Sequence, residues 1–217
     1  MEININLGIQ TKVDAINQVL EALGSIGINA EDEIDMNIDA GSADKLIDAI
    51  SQKIQSNMGK GYWFNRESFH KLTPDPVTGF VVVPNNTLSC LLKRNNGEVL
   101  EVTLRGNQLF DAKNVGYDMR KLVNASGELD AILIMNLPFD YLPTTAKHAI
   151  TDAAKFWVVN DKEGDRVKME SHQKNADTSM IALMGENARQ LRRNMFNNRY
   201  IKSDVMLAGG YNNIGGS

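Results

Sequence analysis

Cysteine is almost absent from this chain. Cys90 is the only one in 217 residues, so no internal disulfide can form and a reducing or indifferent compartment is expected. Histidine is scarce as well. His70, His148 and His172 stand far apart, with no pair at metal-ligand spacing, so no metal site is assigned. No apolar run approaches the ~20 residues of a membrane helix. The opening MEININLGIQ lacks the basic and apolar regions of a secretion signal. No membrane anchor is therefore expected, and the sequons Asn85-Asn86-Thr87 and Asn124-Ala125-Ser126 carry little weight. Basic charge is also short. The 23 Lys and Arg face 27 Asp and Glu, for a net charge of −4, which argues against a dedicated nucleic-acid binder.

Catalytic signatures are missing too. Ser42-Ala43-Asp44-Lys45 has the Ser-x-x-Lys spacing of serine acylases without its companion motifs, and a helix N-cap explains Ser42 better. Gly59-Lys60-Gly61 begins like a nucleotide loop, but Phe64 stands where the third glycine belongs. Cys90 sits in an apolar strand pattern and reads as core rather than nucleophile. Asp140, between Phe139 and Tyr141, offers a glycosidase carboxylate with Asp130 or Glu128 as partner. Its simpler role is to hydrogen-bond the turn before Pro143. No catalytic residue and no cofactor is assigned.

What is present is an uneven distribution. Aromatics make up 6% of the chain, yet Tyr62, Trp63 and Phe64 are adjacent in GKGYWFNRESF. Neighbours in sequence point to different faces of a helix or strand, so three rings in a row mark a junction between packing units. Charge is uneven as well. Residues 1–60 hold ten acids and four lysines, while residues 186–217 hold five bases and two acids. The two ends therefore face different surroundings, or present solvated faces of opposite sign.

Three zones follow. In residues 1–61, Val13, Ile16, Val19, Leu20, Leu23 and Ile26 recur at helical steps after a Thr11 cap, and Gly24 or Gly27 ends the run. The acidic stretch 30–41 reads as a loop. Ser42 then caps a second helix with Leu46, Ile47, Ile50, Ile54 and Met58 on one face, closed by Gly59 and Gly61. Residues 62–140 form an inserted antiparallel β domain, a small sheet or sandwich. Its predicted strands are FVVVP, TLSCLLK, VLEVTLR and LDAILIM, its turn cluster is TPDPVTG, and RNNGE and NASGE are hairpin links. Residues 141–200 return to helix. Pro143 opens one with an apolar face of Ala149, Ile150, Ala153, Phe156 and Trp157. A longer helix over about 163–199 would reach ~50 Å; Gly185 is its candidate kink. Residues 201–217 read as a flexible tail. The fold class is α+β: terminal helices packed as one bundle, with the β domain inserted between them.

The long helix is thinly apolar, so it needs neighbours. Its end mixes Arg189, Arg192, Arg193, Arg199 and Lys202 with Leu191, Met195, Phe196 and Tyr200. Arg and aromatics together are interface residues by type. A nucleic-acid contact, as in a soluble DNA-binding factor, and a plain solvated face are the alternatives.

The ordered series INQVLEALGSIGIN, GYWFN, LTPDPVTGFVVVPNN, LRGNQLFD, LPFDYLP and AAKFW resembles the tail tubular protein A family, the head-to-tail adaptors of short-tailed phages. The matching positions are Asn17, Leu20, Ala22, Leu23 and Gly24; Trp63 to Asn65; Leu72, Pro74 and Asp75; Pro84 and Asn85; Arg105, Gly106, Leu109, Phe110 and Asp111; Leu137 to Phe139, Leu142 and Pro143; and Ala153 and Ala154. Residues 1–10, 28–42 and those beyond Tyr200 lie outside the pattern.

The resemblance implies a structural virion protein rather than an enzyme. It would be made in the host cytoplasm and reside in the tail. It implies a dodecameric ring below the portal protein that connects to the nozzle, a protein of the tail tubular B type, with tail fibres as a further partner. The ring would form part of the channel for DNA ejection, passing double-stranded DNA without sequence-specific binding. The portal and subunit interface would then include Arg189, Arg192, Arg193, Phe196, Arg199 and Tyr200, and residues 201–217 would dock on the portal. The alternative function is a tail-associated, polysaccharide-degrading hydrolase using Asp140 with Asp130 or Glu128.

Overall fold

The computed structural model of the chain describes residues 8–93, 99–162 and 166–197, with residues 192–197 described by backbone alone. The first helix, α1, spans Lys12–Ala22. Thr11 and Asp14 cap it reciprocally: Asp14 N–H donates to Thr11 Oγ1 at 3.2 Å, and Thr11 N–H to Asp14 Oδ2 at 2.9 Å. At its end Gly24 takes φ +70°, and the N–H groups of Gly24 and Ser25 return to the carbonyls of Glu21 and Leu20. That is a Schellman closure.

The acidic stretch differs from the expected loop. Glu31–Met36 forms a 3-10 turn, and helix α2 (Ile38–Ser56) begins directly after it. Its cap is Asn37, whose Oδ1 accepts from Asp39 N–H at 3.0 Å and Ala40 N–H at 3.2 Å. Ser42 is no cap; it lies inside the helix and donates to Ile38 O at 2.8 Å. Gly41 carries a helical hydrogen bond to Asn37 O, so it does not break the helix. The other end also moves. Asn57 and Met58 adopt left-handed conformations, so α2 stops before Met58, which is 96% exposed rather than part of the apolar face. Ile26 and Trp157, expected on buried faces, are exposed as well.

The β region holds five strands: β1 (Arg66–Leu72), β2 (Thr87–Lys93), β3 (Val102–Arg105), β4 (Gln108–Asp111) and β5 (Leu129–Met135). β5 is the centre of an antiparallel sheet ordered β1-β5-β2, and β3 and β4 make a separate two-stranded ribbon. FVVVP is not a strand. It makes one bridge, Val82 to Gln108, and runs beside β4 with Val81 and Val83 buried. NASGE closes a turn, Gly127 N–H to Asn124 O, but joins a long loop to β5 rather than two neighbouring strands. RNNGE lies outside the described residues.

Helix α3 (Thr144–Lys162) follows Pro143, whose carbonyl accepts from Ala146 and Lys147 N–H. Helix α4 (Arg166–Asn197) runs through Gly185 as one element and packs along α3. The chain is α+β, with helices at both ends and a small antiparallel sheet between them.

Two apolar cores result. The bundle core gathers Ile16, Leu20, Ile47, Ile50, Ile150 and Tyr62, while the β core gathers Leu72, Leu92, Leu109, Met119 and Leu133. Each fully buried Leu or Ile contributes roughly 1.5–3 kcal/mol.

Candidate assembly interface

The two cores meet at a polar latch. Gln55, fully buried on α2, places Nε2 at 2.9 Å from Ser51 Oγ, 3.1 Å from Asn136 Oδ1 and 2.9 Å from Leu137 O, and its Oε1 accepts from Leu137 N–H at 2.9 Å. Asn65 is buried beside it. Its amide donates to Gln55 O and Met135 O and accepts from Tyr62 N–H at 2.7 Å. No buried side-chain nitrogen or oxygen among the described residues lacks a partner. A fully satisfied network fixes geometry, because any other docking would strand these groups at about 1–3 kcal/mol each.

Tyr62, Trp63 and Phe64 stand at this crossing. Tyr62 and Phe64 stack at 5.6 Å, and Trp63 meets Phe64 edge-on at 5.0 Å. All three pack against the bundle core, and burial pushes the Tyr62 phenol above its ordinary pKa. The segment also touches α4: Tyr62 Oη lies 3.9 Å from Met180 Sδ, and Trp63 N–H donates to Asn187 Oδ1 at 3.1 Å. Gly61 makes the turn possible. It has φ +63°, and a Cβ there would come within 2.7 Å of Ile134.

Beneath the turn lies a cleft of about 330 Å³. One face of the sheet forms its floor, because strand side chains alternate. Leu129, Ala131, Leu133 and Met135 enter the β core, whereas Ile132 and Ile134 face the cleft with Leu91 and Ser89 of β2. Lys60 and Arg66 supply charge, Met58 stands at one wall, and Asn187 and Leu191 of α4 form the other. Helix α4 itself is long and thinly covered. At 1.5 Å per residue its 32 residues extend ~48 Å. Among its described side chains only Leu183 is buried, and the partly buried Met169 and Met180 are the apolar ones packed beside it on the bundle core.

A family model described as Tail tubular protein matches residues 13–193, which span both cores and most of α4. The chain belongs to the tail tubular protein family. A search of curated proteins returns no match. As a tail tubular protein it is a structural component of a phage virion tail, part of a larger assembly.

The hydrolase reading of this tail protein is not supported. Asp140 Oδ1 accepts from Lys12 N–H at 2.9 Å and so serves the start of α1, not the turn before Pro143. Asp130 instead pairs with Lys71 and accepts from Asn124 Nδ2, and Glu128 lies 4.0 Å from Lys71 Nζ. The Lys71 hydrogen bond, opposed by burial, holds the Asp130 carboxyl below its usual pKa. Asp130 is the second residue of β5, and Asp140 lies beyond the strand's far end. Asp130 is thus engaged by Lys71 and Asn124 and Asp140 by the start of α1, and no described hydrogen bond or ion pair joins them into the ~5–10 Å carboxylate pair of a glycosidase. Cys90 is partly buried among the β-core side chains, and burial pushes its thiol up to about 12, which makes it a poor nucleophile.

Of the interface residues named from sequence, Arg189 is exposed on α4. Arg192, Arg193 and Phe196 lie on the last turns of α4, where the backbone alone is described, and Arg199, Tyr200 and residues 201–217 lie outside the described residues. The latch residues Gln55 and Asn136 had no sequence assignment. The available signal was that Ser51 and Gln55 fall four and eight residues after Ile47, on the apolar face of α2.

Proposed function

We propose that this tail tubular protein is the adaptor that joins the portal to the tail nozzle, assembling as a dodecameric ring around the DNA path. The observation that carries the reading is α4: a helix of 32 residues whose described side chains include one buried residue, Leu183. Such a helix gains cover only from other subunits or a partner, and head-to-tail contacts that close produce rings. Its basic end, with Arg189, Arg192, Arg193, Phe196, Arg199 and Tyr200, supplies the anchor types that dominate interfaces, and it docks with residues 201–217 on the portal. The inserted β domain faces the nozzle. A net charge of −4 suits a wall past which DNA slides, because cationic walls would hold phosphates.

The test is truncation after Leu191, which keeps the Thr145–Glu186 and Trp63–Asn187 contacts. The shortened chain should fold, retain its sheet by circular dichroism and lose co-sedimentation with portal rings. Undiminished portal binding would refute the docking role.

A further inference from the structure

We propose that neighbouring copies join through two unlike faces: the α1–α2 connector of one copy, residues 25–38, seats in the sheet-floored cleft and along α4 of the next. This rests on the ring reading above and names its subunit contact. The receiving face is apolar with a basic edge. On α4, Ile181, Met184, Ala188 and Leu191 fall at i, i+3, i+7 and i+10, the spacing of a helix-packing seam. Ile181 and Met184 are 70% and 54% exposed, and Ala188 is exposed as well. The seam turns away from the stripe that meets α3, where Leu183 is buried and Ser179 and Glu186 bond Asp152 and Thr145. It runs into the cleft through Leu191, beside Lys60 and Arg66, neither of which has an ion pair among the described residues.

The inserting face is its complement. Ile26, Met36 and Ile38 are 86%, 83% and 88% exposed. The Ser25 Oγ to Asp39 Oδ2 hydrogen bond, at 2.9 Å, holds the two ends of this connector together. Between them Glu31, Asp32 and Asp35 have no ion pair among the described residues. One chain thus carries an apolar patch ringed by acids and an apolar cleft edged by bases. Opposite charge around matching apolar patches favours pairing unlike faces over like ones. Unlike faces pair head to tail, so each copy leaves one face free for the next.

The experiment uses the full chain with Cys90→Ala, assembled on portal rings, with particle mass read first by light scattering. Ile38→Cys and Met184→Cys are made separately at these exposed positions and treated with a short bis-maleimide. Co-assembled, they should give cross-linked dimers at a yield at least tenfold above either alone, and the double variant should give a ladder of higher oligomers. In the Cys90 parent, Asp32→Lys with Asp35→Lys should weaken assembly at least tenfold, and Lys60→Asp with Arg66→Glu should restore it. Rings of unchanged mass without the mixed dimer, or with Met184→Cys cross-linking equally well to itself, overturn this contact and leave the adaptor standing. A chain that stays monomeric at hundreds of micromolar beside portal rings overturns both.

Discussion

Helices α3 and α4 lie against each other and yet are held in different ways. The 19 residues of α3 bury eight side chains: Ala146, Lys147, Ala149, Ile150, Thr151, Ala154, Val158 and Val159. The 32 residues of α4 bury Leu183 alone among those described. Beside Leu183 and the partly covered Met169 and Met180, α4 is held by polar ties. Ser179 bonds Asp152, Thr145 donates to Glu186 at 2.5 Å, and Trp63 N–H donates to Asn187. Such bonds are worth about 0.5–1.5 kcal/mol each, enough to set a direction and too little to make the helix part of the core. The fold is built around α3 and presents α4.

The largest expected effect tests the first half of that contrast. Ile150, on α3, is fully buried in the bundle core that also holds side chains of α1 and α2. Ile150→Ala should cost about 2–5 kcal/mol, the range for deleting a packed aliphatic side chain. The loss should appear as a lower urea midpoint with an unchanged slope. A cost under ~1 kcal/mol would mean that α3 is no more integral than its neighbour.

A smaller, local effect is expected at Leu183. Leu183→Ala removes the one buried apolar anchor of α4 among the described side chains. Its α4 neighbours Ile181, Ala182 and Met184 are exposed, so the helix can settle into the gap and the cost should fall near ~2 kcal/mol, the low end of the series. It should be spent on docking α4 rather than on global unfolding. Amide exchange over residues 175–190 should accelerate while α1 to α3 keep their protection. Equal acceleration in all four helices would erase the distinction.

The same contrast explains what the sequence made legible. Apolar periodicity reports burial, so α1, α2, β2 and β5 could be read from Ile16, Leu20, Ile47, Leu92 and Leu133. Capping depends on which side chain finally meets the backbone. Ser42 and Asn37 both suit the role, and the extra turn of helix gained by starting at Asn37 decided between them. β1 was missed because Arg66, Glu67, Ser68, Phe69, His70 and Lys71 stay partly or fully exposed and carry no alternation. FVVVP looked like a strand because Val81 and Val83 are buried, yet its pairing with β4 is a single bridge. At the site, the rings Tyr62 to Phe64 stood out by composition. Gln55 and Asn136 did not, because a buried amide reveals itself only through partners distant in the chain, here 82 residues away at Leu137. The exposed seam of α4 was legible as thin apolar content, but its orientation needed α3 in place.

The smallest expected effect is the most discriminating. Ile181 lies two residues before Leu183 on the same helix and is 70% exposed. If α4 is presented rather than packed, Ile181→Ser should leave the unfolding free energy of the lone chain within ~0.5 kcal/mol, as surface substitutions do. The helix-propensity difference between Ile and Ser is itself small, so it cannot mask a packing loss. A cost above ~1 kcal/mol in urea would require Ile181 to be covered within a single subunit. The helix would then belong to the core after all, and its exposed seam would no longer call for a second copy.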